Sequence, residues 1–437
     1  MVRNVLLLIF FLFVPALLSA QSETDDIARG GSSYSSIGMG IPVDVVTPYT
    51  EGMGISGVAF YNPLSVNGAN PAMWGLGPYT QGALSVGLQS YSMEDASGSG
   101  LQRSLNIDHF QIVFPVVRSR LGISLGFMPV TRSGFSMYRI STLDPEPGSG
   151  RDPISLVHNI DGSGGVNKLE FGLGFRITDN VAVGYGGSLM IASRSRQVDI
   201  DFTSSRFVPI DYTDTISGLS SGHRFGFFAR KGSLFGENDP ISFGAAVTLP
   251  VSISTERKAE TYLNIDGVTQ PVDFFEGTRF GSGTVEVPAE FLVGLTYNPV
   301  NALELSAEYL QQNWNGASFS YDSSQEQYFT DRVKISGGLQ YHPYRIEGSG
   351  GFFKNARYST GIGYDKGHLL IDNEQIETLK FHAGFGILSP QRASSVDVGF
   401  HFGFRGTQSS DLIKETIWGV RMSINLAERM FVQSMFD

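Results

Sequence analysis

Between Tyr79 and Leu426 the chain alternates with period 2 in strip after strip. Leu169, Phe171, Leu173, Phe175 and Ile177 are separated by Glu170, Gly172, Gly174 and Arg176. Val396, Val398, Phe400, Phe402 and Phe404 are separated by Asp397, Gly399, His401 and Gly403. Successive side chains of a strand point to opposite faces, so each strip has one apolar and one polar or small face. An open sheet in lipid would leave edge N–H and C=O groups unpaired, at several kcal/mol each. Strips of this form throughout a long, exported chain therefore predict a closed, all-β antiparallel barrel in the outer membrane of a Gram-negative cell.

The first residues predict export. Arg3 precedes an apolar run, Val5–Leu18, interrupted only by Pro15, and Ser19-Ala20 supplies small residues before Gln21. Residues 1–20 read as a signal peptide, too short and wrongly flanked for a membrane helix. Removing them leaves 30 basic against 42 acidic residues, a net charge of −12, which argues against nucleic-acid partners. No later run is long and apolar enough for a helical span, and a mean hydropathy of −0.02 is compatible with strands that dilute their lipid face with a lumen face. Cysteine is absent, which removes disulfides, thiolate metal sites and a Cys nucleophile. The 53 glycines and 12% aromatics suit a barrel, with Gly relieving crowding and aromatics forming interfacial girdles.

Counting strips predicts a 14-stranded barrel over 79–437, with strips near 79–93, 104–117, 120–141, 165–177, 181–202, 220–232, 240–262, 280–298, 302–321, 326–342, 356–371, 376–389, 394–407 and 413–426. Connections after even-numbered strips are mostly tight, such as Arg118-Ser119 and Thr178-Asp179-Asn180. Those after odd-numbered strips are mostly longer, such as Thr142–Gly164 and Thr203–Leu219. Short periplasmic turns alternating with longer outer loops are the barrel habit. Residues 21–78 fall outside the alternation. A barrel of about 14 strands has a lumen wider than its own side chains fill, so 21–78 is expected to sit there as an N-terminal plug or hatch.

Three stretches resemble the FadL/TodX family of outer-membrane transport proteins for hydrophobic compounds. Gly52-Met53-Gly54-Ile55-Ser56-Gly57 followed by Asn67-Gly68-Ala69-Asn70-Pro71-Ala72 is similar to that family's hatch signature. Leu121–Pro129 is similar to its third strand. Val287-Pro288-Ala289-Glu290, Gly294–Tyr297, Leu303–Tyr309 and Trp314 follow its succession over two consecutive strands. The resemblance implies a hatch carrying Gly52, Met53, Gly54, Asn70, Pro71 and Ala72, and passive uptake of small hydrophobic compounds such as long-chain fatty acids or hydrocarbons. It also implies a lateral exit at a distorted third strand. Here Met128, Pro129 and Gly134 are the residues concerned, since Pro129 cannot donate to a ladder and Gly134 packs no side chain. Some variants of the family serve protein secretion instead, so a plugged barrel acting as an interaction or shuttle component of a secretion system is the alternative.

Inward positions should carry the remaining charge, because Arg or Lys facing lipid at mid-membrane costs about 2–4 kcal/mol. Arg176, Arg224, Lys334, Lys380, Arg405 and Arg421, with Glu170, Glu304, Glu308 and Asp397, are the lumen candidates, Arg405 and Asp397 pairing with neighbours. No catalytic constellation stands out, the seven His residues lack metal-ligand spacing, and no cofactor or metal is indicated. His382 and His401 fall inward on neighbouring strips. The Gly162–Gly165 run is read as loop, not as a phosphate cradle. The expected partners are a hydrophobic, fatty-acid-like molecule, outer-membrane lipid and, under the alternative, a secretion protein.

Overall fold

A computed structural model describes residues 30–428 apart from 145–152, 205, 237, 266–267, 273–279, 322, 344–351 and 390–393. The signal peptide 1–20 and the leader to residue 29 lie outside the described residues.

Fourteen antiparallel strands form one closed sheet. They are β1 (Thr80–Glu94), β2 (Ser99–Val117), β3 (Leu121–Arg132, resuming at Phe135–Leu143), β4 (Ile154–Thr178) and β5 (Val181–Phe202). Next come β6 (Ile210–Lys231), β7 (Ile241–Thr248 and Val251–Ile265), β8 (Phe280–Val287 and Glu290–Val300) and β9 (Leu303–Gln312). The circle is completed by β10 (Arg332–Tyr341), β11 (Ala356–Asp365), β12 (Thr378–Leu388), β13 (Ser395–Arg405) and β14 (Lys414–Glu428). Closure is made by β14 on β1, paired without a slip from Thr80↔Glu428 to Glu94↔Lys414. Pro250 and Pro288, which cannot donate to a ladder, interrupt β7 and β8 side by side.

The barrel is inside out relative to a soluble protein. Phe171 is 57% exposed while its strand neighbour Glu170 is 2% exposed. Leu169 to Ile177 on β4, and Trp418, Met422 and Leu426 on β14, all point outward. The outward apolar run of β4 ends at Leu169, giving a band roughly 25 Å tall.

Strand ends differ from the sequence reading at several places. β4 and β6 begin at Ile154 and Ile210, so much of the two stretches read as loops is strand. Beyond the band polar and charged residues such as His158, Asp161, Asp211 and Asp214 enter both faces, and the period-2 signal that defines a strip weakens. Gly162–Gly165 belongs to β4, not to a loop: Gly164 and Gly165 adopt φ of +112° and +132°. A Cβ at either would strike backbone of Ser193 or Thr131. In the other direction β9 stops at Gln312, and Trp314, Ala317 and Phe319 turn inward into an apolar cluster.

Candidate functional site

The inward faces of the strands carry the site. Glycines recur at one level around much of the wall, in cross-strand register: Gly174↔Gly184↔Gly226 on β4 to β6, Gly244↔Gly294 on β7 and β8, Gly338↔Gly361 on β10 and β11, and Gly384↔Gly399 on β12 and β13. Lacking side chains, these positions let another backbone come close. Residues 51–72 do so. Pro71 and Ala72 abut Gly174, Gly184 and Gly226, Val58 abuts Gly244, Met53 abuts Gly338 and Gly361, Gly52 abuts Gly384, and Glu51 abuts Gly399. Gly54, with φ of +67°, presents its bare Cα to His382.

Directed hydrogen bonds hold the same segment. Glu308 of β9 is 5% exposed and accepts the backbone N–H groups of Ser56, Gly57 and Val58 at 2.6, 2.8 and 2.7 Å. Asn70 caps the 3-10 turn Pro71–Gly75 by accepting the Ala72 N–H at 3.0 Å, and its amide donates to the Val58 and Phe227 carbonyls. Arg224 pairs with Glu170 at 2.5 Å and donates to the Gly68 and Ala69 carbonyls at 2.8 and 3.0 Å. Glu415 accepts the Ser32 hydroxyl and the Ser33 N–H while pairing with Arg405 at 3.3 Å. Asp44 pairs with Arg332 at 2.7 Å and with Lys334 at 2.8 Å.

Among the described residues the wall loses its pairing over a long stretch between β2 and β3. β2 pairs with β3 only from Phe110↔Phe127 to Val117↔Leu121. Beyond Phe127, Met128–Arg132 and Phe135–Leu143 have β4 on one side and no β2 on the other. The ladder thus parts at Met128, one residue before Pro129, and the strand itself breaks at Ser133-Gly134. Groups from the N-terminal segment occupy the gap. Ile41-Pro42 pairs antiparallel with Arg132 and Thr131, and Val43 donates to the Val130 carbonyl at 2.8 Å. The Ser35 hydroxyl donates to the Gly134 carbonyl at 2.7 Å. Gly30 and Gly31 fit so closely against the backbones of Arg103 and Gly134 that a Cβ on either would collide. Two side chains cross the gap directly: Gln102 of β2 bonds both backbone groups of Ser136, and Arg132 reaches Asp108 at 2.5 Å. Asp108 also binds Arg421, which binds Glu51, so a chain of charges runs from the gap to the N-terminal segment.

Inside the gap lies a cavity of about 210 Å³, bordered by Ser104, Asn106, Arg132 and Gly134 on the gap side and by Lys334, Lys380, His382, His401 and Arg405 opposite. Its lining is polar. On its outer side an apolar cluster spans the lumen, built from Tyr34 and Met39, the strand residues Val166, Ile216 and Ile253, and Trp314, Phe319, Phe329 and Leu369 of inturned loops. His368 stacks here on Phe329 and packs at a tilt against Trp314. Burial first, and then the Arg332 guanidinium, push its imidazole down to about 3. Among the described residues no His, Asp and Glu side chains gather as a metal site.

The sequence-predicted residues therefore fall into three places. Gly52, Met53, Gly54, Asn70, Pro71 and Ala72 face the glycine level, and Met128, Pro129 and Gly134 border the gap. Arg224, Lys380, Arg405 and Arg421 line the lumen, the last three at the cavity. Arg176 instead sits at the tight-turn rim, paired with Asp179 at 2.7 Å. Asp397 binds Arg357 and Arg405 binds Glu415, each a pairing with a neighbour. His382 and His401 face each other across β12 and β13 with ring centres 5.9 Å apart. Sequence reasoning missed Gln102, Asp108 and Arg132. One signal for Asp108 was available: the outward residues of β2 step from Ile107 to Phe110, a change of parity that marks the bulge between His109↔Ser85 and Ile107↔Val86.

Solved structures share this architecture. A FadL homologue from Pseudomonas aeruginosa is 12% identical, aligns over 89% of this chain and 99% of its own, and has a TM-score of 0.58. The toluene transporter TodX of Pseudomonas putida is 12% identical over 89% and 99%, with a TM-score of 0.53. The monoaromatic hydrocarbon channel CymD is 13% identical over 89% and 98%, with a TM-score of 0.51. At these identities the likeness is one of fold. No curated protein sequence matches. The family model described as BamG matches residues 1–437.

Proposed function

The chain belongs to the BamG family, and from that premise and its side-interrupted barrel we propose an outer-membrane channel for passive passage of a small hydrophobic compound. The N-terminal segment, 21–78 by the sequence reading, serves as its plug, and 128–134 shapes a lateral exit. The observation that carries the reading is the loss of β2–β3 pairing beyond Phe127. A closed ladder confines traffic to the lumen axis, whereas a missing stretch of pairing gives an apolar molecule a route into the surrounding lipid. The solved proteins with this fold include a toluene transporter and a monoaromatic hydrocarbon channel, which supports the same substrate class here. A plug held by backbone contacts and buried hydrogen bonds gates without an energy source, since its displacement requires only binding energy.

The polarity of the cavity and the apolar cluster across the outer mouth favour a second reading, a plugged barrel that serves as an interaction component of a secretion system. One experiment separates the two. Gln102→Cys and Ser136→Cys introduce the sole thiols of the chain, and a reducible bis-methanethiosulfonate linker then bridges the gap. Under the channel reading, purified protein retains a lipid-like ligand by native mass spectrometry, and its release into vesicles slows at least tenfold when bridged and recovers on reduction. Equal release in both states overturns the lateral exit. A ligand-free protein that co-purifies with a stoichiometric protein partner supports the second reading.

A further inference from the structure

The upper half of β3, Phe135–Leu143, is a free strand edge. Among the described residues it pairs only with β4. Ser136 turns both its N–H and its C=O toward the gap, where Gln102 takes them. N–H and C=O of one residue point the same way in an antiparallel strand and alternate along it, so Tyr138, Ile140 and Thr142 present theirs to the same open side. No backbone partner for these three residues on that side occurs among the described residues. The strand is also apolar where it is open, with Tyr138 75%, Ile140 64% and Leu143 56% exposed. Natural edges are normally blunted by Pro, bulges or clustered charge, and between Tyr138 and Leu143 Arg139 is the only such device.

Position narrows what covers this edge. Tyr138 faces Asn159, ten residues, roughly 30 Å of strand, beyond Leu169 where the outward apolar band ends. Acyl chains, in any case, carry no groups that could pair with the open N–H and C=O of Tyr138, Ile140 and Thr142. A second copy is also a poor occupant. Copies inserted the same way in one membrane point their β3 strands in the same direction, so they would have to pair in parallel about an axis along the strands. That symmetry sets identical outward N–H groups level with each other, whereas a parallel ladder needs them staggered by one residue. Lower on the same edge a strand is already added: Ile41-Pro42 pairs with Arg132 and Thr131. The edge therefore accepts an extended backbone.

The geometry points to a docking site for another protein: an extended segment with alternating apolar and polar residues adds to Tyr138–Thr142 by backbone pairing, on the side of the barrel away from the tight turns. Main-chain bonds hold it, and Tyr138 and Ile140 select apolar side chains at alternate positions. The site is separate from the lateral exit, and its failure leaves the channel reading standing.

The test places a photo-cross-linking phenylalanine at 138, 140 or 142 in cells producing the full chain, with mass spectrometry of the adducts. Strand addition gives adducts on one segment of one protein, and moving the probe by two residues moves the attachment by two residues in a fixed sense. Ile140→Pro removes an open-side N–H without touching the β4 ladder. It should cut the adduct formed at 138 at least tenfold while the unboiled barrel keeps its fast gel mobility. Overturning outcomes are no protein adduct, adducts only to lipid or to a second copy of this chain, attachments that scatter instead of stepping, or a yield that survives Ile140→Pro in a folded barrel.

Discussion

Glu308 offers the sharpest test of how the N-terminal segment is held. Its carboxylate takes three backbone N–H groups at 2.6, 2.8 and 2.7 Å, and no ion pair to it occurs among the described residues. Hydrogen bonds to a charged group contribute about 1.5–3 kcal/mol each, and a buried N–H left without a partner costs about 1–3 kcal/mol. Glu308→Gln keeps one carbonyl oxygen but turns an amide NH2 toward donors that need an acceptor. The three bonds share one anion and do not add, so a loss of about 3–5 kcal/mol is expected. Every 1.4 kcal/mol is a factor of ten, so local opening of 56–58 should rise about 10²- to 4 × 10³-fold. The β9 ladder is untouched, because Glu308 sits opposite Gly294 and Ser336 through its backbone. Amide hydrogen exchange in detergent micelles should therefore show Ser56, Gly57 and Val58 losing protection while strands β9 and β10 keep theirs. Unchanged exchange at all three amides in both Glu308→Gln and Glu308→Ala would refute the anchoring role.

Three further outcomes follow from the same kind of contact. Asn70→Asp keeps the acceptor for Ala72 but sets a carboxylate against the Val58 and Phe227 carbonyls; about 2–4 kcal/mol of segment docking should be lost, seen as protease cleavage within 60–78 that the parent resists. Arg224→Met leaves Glu170, among the described residues, with only Lys168 at 4.0 Å and frees the Gly68 and Ala69 carbonyls, and breaking such a buried pair costs up to about 3–5 kcal/mol; the urea midpoint should fall, and Glu170→Met in the same chain should recover part of it. Asp239, in the turn between β6 and β7, accepts the Phe235 and Leu234 N–H groups, which hold its carboxyl down at about 2. A lowered folded value means the turn is supported above the ordinary carboxylate range near 4 and loses that support as pH falls from there through about 2; carboxyl NMR should show the low titration, and Asp239→Asn should make the turn's protection, relative to the intrinsic exchange rate, independent of pH in that window.

The strand count and circular order were legible because the outward face of each strip stays apolar for the whole height of the band, and alternation needs only one such face. The signal ends where the band ends. Residues 154–164 of β4 and 210–219 of β6 mix apolar Ile154, Leu156, Ile160, Ile210 and Ile216 with His158, Asn159, Asp161, Gly162, Asp211, Thr213, Asp214 and Thr215, and they pass for loop in the sequence. Trp314 and Phe319 mislead in the opposite direction, since a loop that folds into the lumen is as apolar as a strand facing lipid. The gap was half legible. Pro129 and Gly134 mark a weak ladder in any sequence, but Gln102 and Arg132 act across a separation that only strand register defines. The glycine level was visible as residues alternating with Phe and Leu, while its use, a path for a second backbone, required knowing that Gly174, Gly184 and Gly226 stand side by side.

Residues 30–42 tie the outer mouth to the side gap. Tyr34 and Met39 belong to the apolar cluster that crosses the lumen, and Tyr34 also donates to the Ile413 carbonyl at 2.5 Å. A few residues away, Gly30, Gly31, Ser35 and Ile41-Pro42 occupy the space that β2 leaves beside β3. Withdrawing this stretch removes part of the cluster and the filling of the gap in one movement. The polar cavity lies between the two and adds little apolar contact along the way. Under the channel reading, an apolar molecule gains by meeting Trp314, Phe319 and Phe329 at the mouth and by reaching lipid beside Leu105 and Ile107, with a short charged passage between. Pairs such as Arg132–Asp108 and Asp44–Lys334 neutralise part of that passage. Under the channel reading, binding energy gathered at the cluster is what displaces 30–42. Under the interaction reading the same stretch stays seated and the barrel serves as a rigid mount for its outer strands.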